Sequence, residues 1–258
     1  MTKIYMVALL SFCVWIIHAQ HDRSATVLRS AAKGLEYEVK AGFHIGGASP
    51  LPLPHEIREI SGYNPTLAIP IEGTVTQWLG KQRKWGVTAG LKLENKGMIT
   101  CSRVKNYRTE IIGDGGEKVS GRWTGYVKTK MRTAYLTMPL LAAYRLDERW
   151  VIRGGAYVSY LTEGDFSGHV YDGYLREGDP TGPKIEFKDG RIATYDFSNR
   201  LRHFVYGAQM GISWRAFKHF NTFADLSWGL NGLFKSDFET ISFALYPIYL
   251  NAGFGYVF

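Results

Sequence analysis

Residues 241–258 read ISFALYPIYLNAGFGYVF, and in an extended chain side chains two apart share a face. Phe258, Tyr256, Phe254, Ala252, Leu250, Ile248, Tyr246 and Ala244 then lie on one face, and Val257, Gly255, Gly253, Asn251, Tyr249 and Pro247 on the other. The first set suits lipid and the second a crowded polar interior. The stretch is therefore read as the closing strand of a membrane-spanning β-barrel.

Seven further segments carry the same alternation. The first sets Leu35, Tyr37, Val39, Ala41, Phe43 and Ile45 against Glu36, Glu38, Lys40, Gly42 and His44, about the nine to eleven residues that a tilted spanning strand needs. The second points Leu67, Ile69, Ile71 and Val75 outward and Glu72 inward; the third points Trp85, Val87, Leu91 and Leu93 outward, with Lys92 and Glu94 inward. A fourth runs through TAYLTMPLLAAYRL, and the fifth sets Trp150, Ile152, Val158 and Tyr160 against Arg153, Ser159 and Glu163. The sixth (Phe204 to Trp214, with Arg215 inward) and the seventh (Ala224 to Leu230, with Asp225 inward) complete the set. The expected fold is all-β: an eight-stranded antiparallel transmembrane barrel with extended extracellular hairpin loops. An even number of strands puts both chain ends at one side, the periplasm, and short turns near residues 80, 147 and 218 alternate with connections that are long except the last. Outward aromatics form two rings, Tyr37, Trp85, Tyr144, Trp150, Trp214, Tyr256 and Phe258 at one end and Phe43, Tyr160, Phe204, Tyr206, Trp228 and Tyr246 at the other.

The amino terminus fits an exported protein. Lys3 precedes an apolar stretch from Ile4 to Ile17, shorter than the roughly 18 residues of a spanning helix, and Ala19 offers a small residue for cleavage. Residues 1–19 are expected to be a cleaved signal peptide, 20–34 a short periplasmic segment and 35–258 the barrel. With Cys13 in the signal, Cys101 is the sole mature cysteine, which excludes an internal disulfide and a thiolate metal cage. The formal net charge of +8 is scattered rather than run together, so nucleic acid is not an expected partner. Outer-membrane lipid and lipopolysaccharide, or an acidic surface polymer, fit that charge better.

The sequence carries two resemblances. Asn251, Gly253, Tyr256 and Phe258 resemble the terminal signal by which bacterial outer-membrane barrels are handed to the barrel assembly machinery. YLTMPLLAAYRL, WVIRGGAYVSYL and LNAGFGYVF resemble the PorT-like outer-membrane β-barrel family of Bacteroidota, with Tyr135, Leu136, Pro139, Leu140, Leu141 and Tyr144 matching its fourth-strand motif. That resemblance implies the fold and an outer-membrane address. The family's namesake belongs to the type IX secretion and gliding apparatus, and most members have no assigned activity.

Three functional readings follow. Eight strands enclose an interior just wide enough for side chains to fill. Glu36, Glu38, Lys40, Glu72, Lys92, Glu94, Arg153, Arg215 and Asp225, mixed in sign, are expected to pair across it as a polar plug rather than leave a narrow pore. A hydrolase acting on lipid A or a similar amphiphile would use His44 or His203 as base with Ser159 or Ser61, but no motif joins them. Asp165, Asp172 and Asp179 are too widely spaced for a calcium loop, and neither a metal nor a cofactor is expected. The main expectation is non-enzymatic. The hairpin from Trp85 to Leu146, with its tip at Asp114 to Gly116, is too long for the membrane alone, and EFKDGRIATYDF carries a hairpin cue at Asp189 and Gly190. Arg122, Trp123, Tyr126, Tyr171, Tyr174 and Arg176 in these loops are candidates for binding an envelope protein partner or surface component.

Overall fold

The computed structural model describes residues 34–113 and 116–258; the expected signal, nearly all of the segment after it, and Asp114 and Gly115 at the tip lie outside them. Ten strands occur among the described residues: β1 (Leu35–Pro50), β2 (Ile57–Pro65), β3 (Ile71–Leu79), β4 (Trp85–Ile112), β5 (Lys118–Arg145), β6 (Trp150–Glu177), β7 (Lys184–Asp196), β8 (Phe204–Arg215), β9 (Phe220–Gly229) and β10 (Leu245–Val257). All pair antiparallel. From β1 the ladder passes to β3, β4, β5, β6, β8, β9 and β10, and β10 pairs β1 again, closing an eight-stranded ring as the alternation predicts. Closure satisfies the sheet edges that lipid could not hydrogen-bond, except along β1 above Ala41, where its pairing with β3 ends. The short turns at 80–84, 146–149 and 216–219 lie at one end, where the Phe258 N–H donates to the Tyr37 carbonyl at 3.0 Å.

β2 and β7 stand outside the ring. β4, β5 and β6 each run 28 residues, about 90 Å of extended chain and far more than a membrane crossing needs. Their upper halves leave the barrel as a ribbon, flanked by β2 on β4 and by β7 on β6. At the far end β7 also meets β4, at Ile112 and Thr194. β2 is invisible in the sequence pattern because no residue along it is buried, so IREISGYNP has no face to mark.

Three expectations need correction. The second ring strand starts at Ile71, not at Leu67: Pro70 has no N–H for the ladder, and Leu67 and Ile69 stay exposed in the connection before it. Asp189 and Gly190 do not turn a hairpin. β7 is one strand against β6, and this pair sits in a bulge between Phe187 and Ile192 where Gly190 takes φ 81°. Glu163 does not face inward, because the register slips between Ala134 and Tyr135 opposite Thr162, and one extra residue sends the next side chains to the other face.

The core lies in two regions of opposite polarity. Inside the ring β4 buries Thr88, Lys92, Glu94 and Lys96, while Val87, Leu91 and Leu93 face out. Beyond Lys96 the same inward face carries Met98 and Val104, and beyond Leu93 the outward face carries Asn95, Arg103 and Lys105. On the outward face β5 and β6 change over with β4, at the register row that joins Leu93, Leu136, Tyr160 and Phe204. Past that row, Trp123, Val127, Met131, Phe166, Val170, Leu175 and Tyr195 form one apolar core. The 230–244 connection closes it with Leu233, Phe234 and Ile241.

The outward face of the ring is apolar but for Gln77 and Thr222 towards the turn end. Phe204 and Trp214 mark the two ends of β8, about 33 Å apart along the strand, or about 25 Å across a membrane at the usual tilt of some 40°. Aromatic pairs occupy both rims, Trp85 with Tyr144 at 4.6 Å at the turn end and Tyr160 with Phe204 at 5.2 Å at the other.

Candidate functional site

The ring gathers the predicted charged residues into stacked ion pairs. At the turn end Glu36 meets Arg215 at 3.1 Å and Arg145 at 3.6 Å, and the Arg145 guanidinium lies 4.0 Å over the Trp78 ring. Above it Arg153 donates from one nitrogen to Glu38 at 3.1 Å and from another to the Ser213 hydroxyl at 2.8 Å, and Asn221 donates to the second Glu38 oxygen at 3.0 Å. Lys40 sits between Glu72 at 3.6 Å and Asp225 at 3.4 Å. At the upper level Glu94 takes Lys92 at 3.0 Å and Lys96 at 2.7 Å, and it accepts from Thr137. The rings of Tyr249, Tyr135 and Tyr157 lie 5.1, 5.3 and 5.9 Å from the Lys96 ammonium.

Five carboxylates therefore meet six cations inside the lumen, some across it and Glu94 with Lys92 and Lys96 of its own strand. Because buried charge is costly unless paired, the alternation of sign along facing strands is what lets this interior exist. Lys96 and Arg145 were missed in the sequence reading although parity marked both: Lys96 shares the face of Lys92 and Glu94, and Arg145 that of Thr137 and Leu141.

The terminal-signal residues take distinct places in the closing strand. Asn251 points inward between His44 and Asp225 in register, and Tyr256 and Phe258 face out, with rings 5.0 Å apart. Gly253 lies opposite Gly42, and a Cβ there would sit 2.2 Å from the Ala41 carbonyl oxygen, so only glycine fits that approach of β10 to β1.

Five of the six candidate loop residues share the outward face of the ribbon, paired across β5 and β6. Arg122 lies opposite Arg176 and Tyr126 opposite Tyr171, the two tyrosine rings stacked at 5.5 Å. Tyr174 lies between Lys184, 4.6 Å above its ring, and Arg176 at 5.8 Å. Trp123 is the correction. It is 0% exposed, turned inward against Phe187 as the odd-numbered face of β5 requires, and it belongs to the ribbon's core. Beside this face, hydrogen bonds from Lys184 and then Lys188 hold the Glu186 carboxyl down to about 2.

The four side chains considered for hydrolysis are not brought together. His44 bonds the Asn95 carbonyl inside the ring, Ser159 bonds Thr137, Ser61 donates to the Cys101 carbonyl and His203 stacks on Tyr160. Among the described residues no hydrogen bond joins any two of them, and no group of three or more His, Cys, Asp or Glu is placed to hold a metal ion.

A closed antiparallel ring, apolar outside and ion-paired inside, defines a membrane-spanning β-barrel. The chain belongs to the family described as outer membrane protein beta-barrel domain, whose model matches residues 18–235, and this assigns it to the outer membrane. No curated protein matches the sequence. Among solved structures the chain is similar to Ail, the attachment invasion locus protein of Yersinia pestis, at 12% identity and a TM-score of 0.38, over 86% of this chain and 98% of that one. It is also similar to the outer membrane protein OprG from Pseudomonas aeruginosa (14%, TM-score 0.32, 88% and 97%) and to the outer membrane protease OmpT from Escherichia coli (13%, TM-score 0.33, 87% and 96%).

Proposed function

We propose that the protein is a non-enzymatic barrel, closed by its own ion pairs, that presents the ribbon on the cell exterior to dock an anionic envelope or surface component. Both chain ends then face the periplasm, and the PorT-like resemblance of the fourth-strand motif agrees with an envelope role. The observation that carries the reading is the ribbon's construction. Its inside is an apolar core like that of a soluble domain, while its outward face sets Arg122, Arg176, Tyr126 and Tyr171 in register. Long connections with a core of their own are usually functional, and paired arginine and tyrosine suit a binding face.

The test is chemical cross-linking of intact cells carrying a tagged copy, comparing wild type with a variant in which Arg122, Arg176, Tyr126 and Tyr171 are alanine. Recovery of a defined lipopolysaccharide or envelope component that is lost in the variant is the expected result. The same recovery from both forms, or recovery of assembly machinery alone, would overturn docking through this face.

A further inference from the structure

The barrel wall is not laddered throughout. β1 pairs β3 only from Leu35 to Ala41, and β4 leaves β3 at Leu93 and finds β2 again at Met98. Above Ala41 the edge of β1 therefore faces β4 and β2 with no strand between them. Side chains cross this seam instead. The Tyr63 hydroxyl donates to the Gly46 carbonyl at 2.7 Å, His44 bonds the Asn95 carbonyl, and the Ala48 N–H points at the Met98 sulfur at 3.4 Å. Such contacts are fewer and weaker than a continuous ladder, so the seam is the part of the wall that opens at least cost.

Behind the seam lies a cavity of about 430 Å³, within the range of small-molecule sites. Met98, Val104, Val127, Phe166, Ile241 and Leu245 make its lining mainly apolar, with the hydroxyl side chains of Thr100, Ser102 and Thr129 among them and no charged residue. Its mouth is bordered by Ile60, Tyr63 and Ile248. The last continues the lipid-facing row of β10 through Leu250, which pairs with the exposed Ile45. Gly47 stands at the sill, where a Cβ would lie 2.6 Å from the Met98 sulfur.

We propose that this chamber takes the hydrocarbon chain of a membrane amphiphile, entering sideways through the seam between β1 and β2. Three independent features carry it: an interrupted ladder, an apolar chamber of ligand size behind the interruption, and a mouth continuous with the lipid-facing surface. A charged or strongly polar ligand would leave its groups unpaired against that lining. The headgroup stays at the mouth, and only the chain is buried.

The test is photolabelling of the full barrel in phospholipid nanodiscs with a palmitic acid analogue bearing a diazirine near its methyl end, followed by peptide mapping. Label is expected on Met98, Val127 and Phe166, and excess unlabelled palmitate should compete it away, whereas label on Phe43 and Leu250 in the lipid-facing band should persist. Ser102→Phe and Thr129→Phe fill the chamber from two different strands. Each should lower the interior label at least about tenfold with the band label unchanged, in protein whose heat-dependent gel mobility shows an intact barrel. Wild-type protein labelled only on the band, or interior label that palmitate does not compete, would overturn the proposal. So would interior label that survives either filling substitution in an intact barrel.

Discussion

The ring and the ribbon share three strands and place their charged side chains on opposite faces. Below the row of Leu93, Leu136, Tyr160 and Phe204, β4 to β6 turn apolar residues outward and ion pairs inward. Above it the same strands bury Met98, Met131 and Phe166 and turn Arg103, Lys128 and Arg132 outward. Backbone geometry is common to both halves, so the swap follows the solvent on the outside. Lipid accepts side chains that water rejects, and the hydrogen-bond ladder accepts either. One strand can thus cross two media if its two faces exchange character within a few residues, as β4 does between Leu93 and Met98.

The largest effects should come from breaking each interior by its own logic. Arg153→Ala leaves Glu38 buried without its cation, at an expected cost of about 3–5 kcal/mol. Trp123→Ala empties the ribbon's core at an expected cost of about 3–5 kcal/mol. The costs match and the reach differs. In lipid vesicles the Arg153 variant should lose resistance to urea throughout. The Trp123 variant should keep the barrel's heat-dependent gel mobility while limited proteolysis cuts within residues 98–200. Proteolysis of the ribbon in the Arg153 variant alone would show that the two halves do not fail separately.

A cation on the outward face probes the same contrast at smaller size. Leu140 is 62% exposed midway along the β5 crossing. Leu140→Arg should cost about 2–4 kcal/mol, as charge at the middle of the bilayer does. Ile192 is 47% exposed on the outward face of β7, and Ile192→Arg should stay within about 0.5 kcal/mol of wild type. Reversible denaturation of both variants in the same vesicles measures the difference. Equal costs would mean that the ribbon also lies in lipid.

The ring was legible because its strands repeat one rule: parity alone placed Glu38, Lys40, Glu94, Arg153 and Asp225 inside. The ribbon was legible only in length. Alternation gives the period of a strand, but which face is buried depends on the medium, and the assignment of polar inside and apolar outside that is right for Arg153 turns Trp123 the wrong way. Bulges add a second obstacle, since the extra residue near Thr162 and the one between Val104 and Tyr107 each reset the parity that a sequence reader carries forward. β2 and the seam beside β1 were illegible for a further reason. They are defined by which strand is missing as a neighbour, and pairing partners leave no trace in the period of a single segment.

Alkaline pH should separate the ribbon by a smaller step. Burial raises the phenols of Tyr107 and Tyr195 above their ordinary value, with the charges of Tyr195 and Glu56 lesser causes for Tyr107; Tyr195 also shares a 2.6 Å hydrogen bond with Thr129. The neutral form belongs to the fold, while in the unfolded chain the same groups ionise near pH 10. Their contribution is therefore whole below about pH 10 and is lost as pH climbs from there towards the folded values, by about 1.4 kcal/mol for each tyrosine at one unit above. Ribbon proteolysis should accelerate over that interval while gel mobility follows the barrel as reference. Tyr107→Phe and Tyr195→Phe should each flatten the profile, the second at the cost of about 1 kcal/mol at neutral pH for its lost hydrogen bond. If the phenylalanine variants keep the wild-type profile, alkaline loosening arises elsewhere, and the apolar seal of the ribbon does not depend on keeping these two phenols neutral.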